Sequence, residues 1–244
     1  MAMRRIRIAL AARVYARLNP RMARVPGRAL GRCGRHTARA RALLAILPLL
    51  LGLQAAIPAS AREWHFDVSV DGLPIGSHDL AVRENGDARS VQSDMRFGLL
   101  GVSSYKQHAE ETWQANCLTR LDTRTEEKGN VTTVSGRLDG SAFAIDGPRG
   151  HEQLASCVMT FAYWNPRVLK QSGLINLQTG AWTPITVHTL GKEQIDVRGK
   201  SVAADHFRID TERNRIELWY LPEGEWIGLR STTRNGHVLE YRLR

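Results

Sequence analysis

The sequence predicts a mainly β protein: a strongly curved antiparallel meander, half-barrel or barrel, with one short helix near residues 166–172. Three observations carry this prediction. Apolar and polar residues alternate with period two along most of the chain beyond residue 61, the pattern of strands buried on one face. Turn residues interrupt the alternation at roughly 8–12-residue spacing, as in a meander. The runs amount to about a dozen strands, and so many in one sheet curl or close.

The first strand sets Trp64, Phe66, Val68 and Val70 on one face and His65, Asp67 and Ser69 on the other. Asp71-Gly72 is a hairpin turn. The next strand carries Leu73 and Ile75, then changes phase near Gly76 to His78, Leu80 and Val82, which predicts a bulge at the glycine. After Asn85-Gly86-Asp87 come strands marked by Val91, Met95 and Phe97, by Tyr105 to Trp113, and by Cys117 to Arg124. Lys128-Gly129-Asn130 turns the chain into Val131 to Arg137, which pairs with Ser141 to Ile145 across Leu138-Asp139-Gly140. The alternation then breaks at Met159 to Trp164 (MTFAYW). Asn165-Pro166 is an N-cap and first-turn pair, so residues 166–172 form a short helix that Gly173 ends. Strands resume over Trp182 to Leu190, Gln194 to Val197, Val202 to Ile209, Arg215 to Tyr220, Glu225 to Arg230 and His237 to Leu243. Gly191, Arg198-Gly199, Glu212-Arg213-Asn214, Pro222-Glu223-Gly224 and Asn235-Gly236 separate them.

Residues 1–61 follow different rules. Residues 1–41 hold twelve Arg and no acidic residue, Ala42 to Leu53 is an apolar run, and Ala59-Ser60-Ala61 is an A-x-A site. These are the parts of a secretory signal peptide, with cleavage expected between Ala61 and Arg62 and a periplasmic destination. Met22 is an alternative start that would make 1–21 an extension of the gene model. Pro48, Gly52, Gln54 and Pro58 interrupt the apolar stretch, so no stable membrane span is expected after cleavage. The whole chain has 34 Lys+Arg against 24 Asp+Glu. Without the twelve leader arginines the balance is 22 to 24, a net charge of −2, and a nucleic-acid partner is excluded. Residues 62–244 form a single β-rich domain without a linker or repeat. Its two cysteines, Cys117 and Cys157, are a disulfide candidate in an oxidising compartment.

Chemistry is scarce. The chain has no GxSxG, HExxH, P-loop or GxGxxG motif. The seven histidines of the domain are scattered without ligand spacing, and His78 shares a face with Leu80 and Val82 as a structural histidine does. Glu110-Glu111 and Glu126-Glu127 point to opposite strand faces and read as solvated pairs. No catalytic residue, metal ligand or cofactor is assigned.

Thr160-Phe161-Ala162-Tyr163-Trp164-Asn165-Pro166, with Leu174-Ile175-Asn176-Leu177-Gln178-Thr179-Gly180, resembles the secreted proteobacterial proteins grouped as domain-of-unknown-function family 6134. Trp64-x-Phe66-x-Val68-x-Val70-Asp71-Gly72-x-x-Ile75-Gly76, Leu218-Trp219-Tyr220 and Leu239-x-Tyr241-x-Leu243 extend the resemblance over most of residues 62–244. It implies a fold similar to curved-sheet periplasmic proteins that bind lipids or other apolar ligands.

All six Trp lie in the domain, and core packing accounts for most of them. Tyr163 and Trp164 sit where the strand pattern breaks, and a break at the mouth of a curved sheet is a place for a ligand site. Asn165, Asn176 and Gln178 would supply its polar contacts. Three roles stay open: a periplasmic protein binding a lipid-like or other apolar small molecule, an accessory or assembly protein contacting an envelope protein, and an enzyme of unrecognised type.

Overall fold

A computed structural model describes residues 60–99 and 102–244. The predicted leader lies outside them except for Ser60 and Ala61, which pair with Glu84 and Arg83 at the start of the first strand.

The chain runs β1 (Ser60–Val70), β2 (Leu73–Asn85), β3 (Ala88–Leu99), β4 (Val102–Gln114), β5 (Cys117–Glu127), β6 (Asn130–Asp139), β7 (Ala142–Gly147) and β8 (Gly150–Ala155). A 30-residue connection follows, over 156–185, holding one 3-10 turn (Pro166–Lys170) and a small hairpin of β9 (Gly173–Ile175) and β10 (Trp182–Pro184). The second half is β11 (Thr186–Val197), β12 (Lys200–Asp210), β13 (Asn214–Tyr220), β14 (Trp226–Thr233) and β15 (Val238–Leu243). Thirteen strands make one antiparallel sheet in the order β11-β12-β13-β14-β15-β1-β2-β3-β4-β5-β6-β7-β8. The last strand pairs with the first, Phe66 opposite Leu243 and Val70 opposite Leu239, so both halves of the meander fuse at β1. The sheet curves but does not close: β8 and β11 are its edges, and only the 156–185 connection links them.

Alternation decides which face is inside. Trp64, Phe66 and Val68 are buried with Leu80 and Val82 beside them, whereas Glu63, His65 and Asp67 are exposed. The register between β1 and β2 slips between Val68 and Ser69, where Gly76 sits at φ 154°. A Cβ at Gly76 would overlap the carbonyl oxygen of Arg96 on β3, so the bulge needs a glycine.

The 156–185 connection packs along the inner face and completes the core. Val158, Met159, Ala162, Trp164, Val168, Leu174 and Ile175 are all buried in it. Its polar groups find partners on both walls. Leu118 N–H donates to the Val158 carbonyl (3.1 Å), Thr123 Oγ1 to the Leu177 carbonyl (2.7 Å), and the Tyr220 hydroxyl to the Tyr163 carbonyl (2.8 Å). Cys117 and Cys157 form the disulfide, which fixes the start of the connection to the start of β5.

Several elements differ from the sequence expectation. The short helix is a single 3-10 turn that stops at Lys170, and Gly173 opens β9 instead of ending a helix. Trp182 belongs to β10, paired with β9. Gly191 is a bulge inside the continuous strand β11, where the register against β12 slips between Thr189 and Gly191. β8 was not anticipated.

No helix among the described residues is long and apolar enough to cross a membrane.

Candidate functional site

Between the connection and the inner face of the sheet lies a cavity of about 250 Å³. One wall is β2–β4, through His78, Leu80, Val91, Ser93, Gln107 and Glu111. The opposite wall is β13–β15, through Ile216, Trp226, Leu229, Leu239 and Tyr241. The connection partly covers the space with Phe161 to Trp164 and Asn176 to Gln178. Phe66 of β1 lies beneath, its ring 4.4 Å from that of Trp226 and 6.2 Å from that of His78.

Of the residues predicted from sequence, Tyr163, Trp164, Asn176 and Gln178 line this cavity. Trp164 is also a core residue: it is buried and meets Trp113 edge to face, with ring centroids 5.6 Å apart. Tyr163 packs on Trp226 at 5.5 Å. Asn176 has a structural duty besides, since its side-chain oxygen accepts from the backbone N–H of Gln178 (2.9 Å) and Thr179 (3.1 Å), holding the turn between β9 and β10. Gln178 Nε2 donates to Glu127 Oε2 (3.3 Å). Asn165 is not among the residues that line the cavity. Its side-chain oxygen caps the 3-10 turn by accepting from Arg167 N–H (3.1 Å), and its amide nitrogen faces Asn116.

Two ionisable residues of the wall were not among the predicted site residues. Glu111, expected in solvent, is buried. Its Oε2 accepts from Trp113 Nε1 (2.8 Å) and its Oε1 from Thr160 Oγ1 (3.0 Å). Burial outweighs these two hydrogen bonds and lifts its carboxyl to about 7. His78 is buried too, with Nε2 2.8 Å from Ser93 Oγ and Nδ1 without any partner. Burial lowers its imidazole to about 4, so it is neutral at neutral pH. Gln107 and Thr125 bond to each other on the same face (2.9 Å). The signal was present in β4: Trp113 faces inward, and counting back by two puts Glu111, Ala109, Gln107 and Tyr105 on its face.

Burial also keeps the phenols protonated. Tyr105 is pushed up to about 12 and the hydroxyls of Tyr163 and Tyr241 well above their ordinary range, so all three stay protonated. The arrangement is an apolar and aromatic chamber with a polar floor made of buried, mostly neutral groups. Among the described residues, no group of three or more His, Cys, Asp or Glu is placed to hold a metal ion.

A curved, open β-meander with an internal chamber is the class this fold and site define. The domain of unknown function DUF6134 matches residues 66–244, and the chain belongs to that family. No curated protein matches it. Among solved structures it is similar to the crystal structure of a beta-barrel-like protein of domain of unknown function DUF1849 from Brucella abortus. The two share 10% identity at a TM-score of 0.51, over 75% of this chain and 95% of that one. At that identity the likeness concerns the fold alone.

Proposed function

We propose that this protein is an exported periplasmic binding protein that holds a small lipid-like or otherwise apolar ligand inside its curved sheet. The observation that carries the reading is the chamber itself. A well-packed domain leaves little unfilled space inside, and this one keeps a half-open pocket of about 250 Å³ between its sheet and the segment that covers it. A dry cavity of ~150 Å³ admits benzene, whereas drug-sized ligands fill ~300–1,000 Å³. The chamber therefore suits a ring or a short chain, or one end of a longer molecule. Its walls include Leu80, Val91, Trp164, Trp226 and Leu229, and a few convergent polar groups give orientation, the usual division of labour in a ligand site.

Export is supported by the arginine-rich start, the short apolar run and the A-x-A site, and by the Cys117–Cys157 bridge, which suits an oxidising compartment. The test is native mass spectrometry of protein purified from a periplasmic fraction without detergent. A small molecule of fixed mass bound one to one is the expected result, on a chain beginning at Arg62. Bare protein that also takes up no apolar probe when challenged would refute the binding role.

A further inference from the structure

We propose that the ligand of this chamber is an organic cation, an apolar body bearing an ammonium or alkylated ammonium group, with Glu111 as its counter-ion and the aromatic side chains as its cage. This rests on the binding role proposed above and specifies the chemistry of the ligand.

Among the described residues, Glu111 is the only acidic one lining the chamber, and no Lys or Arg lines it. Its two partners, Trp113 Nε1 and Thr160 Oγ1, are neutral donors, so no protein cation compensates the carboxylate. Removing a charge from water without a partner is costly, and a protein that keeps such a group buried gains when something of opposite charge arrives. His78 cannot serve, because burial keeps it neutral at neutral pH.

The walls point the same way. Six aromatic residues, Tyr105, Phe161, Tyr163, Trp164, Trp226 and Tyr241, line a single chamber of about 250 Å³. Ring faces attract cations most strongly when both are desolvated, and cages of aromatic rings are the recurring way to hold ammonium groups. The acid and the rings are adjacent: Glu111 bonds the indole of Trp113, which meets Trp164 edge to face. An anionic ligand would find one carboxylate and no positive charge. A neutral ligand beside ionised Glu111 would leave the carboxylate uncompensated, whereas a cation satisfies both the carboxylate and the rings.

The test compares three probes of equal length by calorimetry at pH 8 on the full domain: hexylammonium, hexanol and hexanoate. The expected order is hexylammonium at least tenfold tighter than hexanol, with hexanoate weakest. Glu111→Gln should erase the preference for the ammonium over hexanol, and thermal unfolding recorded on the same sample separates lost charge recognition from lost folding. Hexanol or hexanoate bound as tightly as hexylammonium overturns the cation proposal but leaves the apolar binding role standing. Failure of all three to bind overturns both.

Discussion

Glu111 and His78 titrate in opposite senses, and the balance between them governs how stability responds to pH. Glu111 holds its proton to about pH 7 in the folded chain, above its ordinary value, so folding is favoured at low pH and that contribution is lost as pH rises through 7. His78 is depressed to about 4, so its contribution is present above the ordinary histidine range and lost as pH falls through 4. Each shift corresponds to about 3 kcal/mol. Between pH ~4.5 and ~6.5 the two slopes oppose and largely cancel. Glu111→Gln removes one of them. Urea denaturation at pH 4.5, 6.5 and 8 should show the variant gaining stability over wild type at pH 8. Its own stability should fall steeply on acidification from 6.5, because His78 is then uncompensated. A wild-type-to-variant difference that stays flat over this range would contradict the assignment.

At the same scale, sequence reading reached the segment that closes the chamber but not the floor. Tyr163 and Trp164 were legible because they interrupt a strand pattern. Glu111 was not, because a glutamate on a strand is ordinarily solvated, and His78, placed on the face of Leu80 and Val82, reads as a structural histidine rather than a site residue. Only the phase set by Trp113 on β4 places Glu111 inside. Asn165 uses its side-chain oxygen for the cap that its place before Pro166 predicts.

Among elements, most strands were legible because one face of each is buried and the other is not. β8 was missed for the matching reason: Gly150–Ala155 is an edge strand with no buried residue, and its sequence GHEQLA shows no alternation of apolar side chains. β11 was split at Gly191 because a bulge glycine and a turn glycine look alike in sequence. Gly76 was read correctly, since the hydrophobic phase changes across it. Gly76→Ala should strain the backbone and push the new methyl into Arg96 on the neighbouring strand, costing at least 2–3 kcal/mol. Urea unfolding measures it, and a loss below 0.5 kcal/mol would mean the bulge is not needed there.

The disulfide acts on the covering connection. It closes a loop of 40 residues, and loop entropy assigns such a bridge roughly 4 kcal/mol. Cys117→Ala/Cys157→Ala should therefore unfold at markedly lower urea. It should also release ligand faster, since the bridge anchors the segment that carries Tyr163 and Trp164. Equal midpoints with and without the bridge would show that packing of Val158 and Met159 alone holds the connection.

For the whole molecule, an open sheet with a covered interior reconciles two demands. A thirteen-stranded sheet with free edges would expose unpaired backbone and an apolar face, and the connection between β8 and β11 shields the inner face without sealing the barrel. The curved antiparallel meander followed from the pattern. The interior volume did not, because it depends on how the connection packs against both walls, and no local periodicity encodes that distance.

Ala162 is buried and lines the chamber from the covering side, so enlarging it tests the chamber with little disturbance elsewhere. Overpacking a filled core costs about 1–3 kcal/mol, whereas filling an existing void does not. The most direct measurement is titration of an apolar fluorescent probe into wild type and Ala162→Leu side by side, with thermal unfolding recorded on the same samples. The account predicts one probe per wild-type molecule, and at least tenfold weaker binding by a variant that melts no lower. Equal binding by the two proteins, with the fold intact in both, would contradict the chamber as the ligand site.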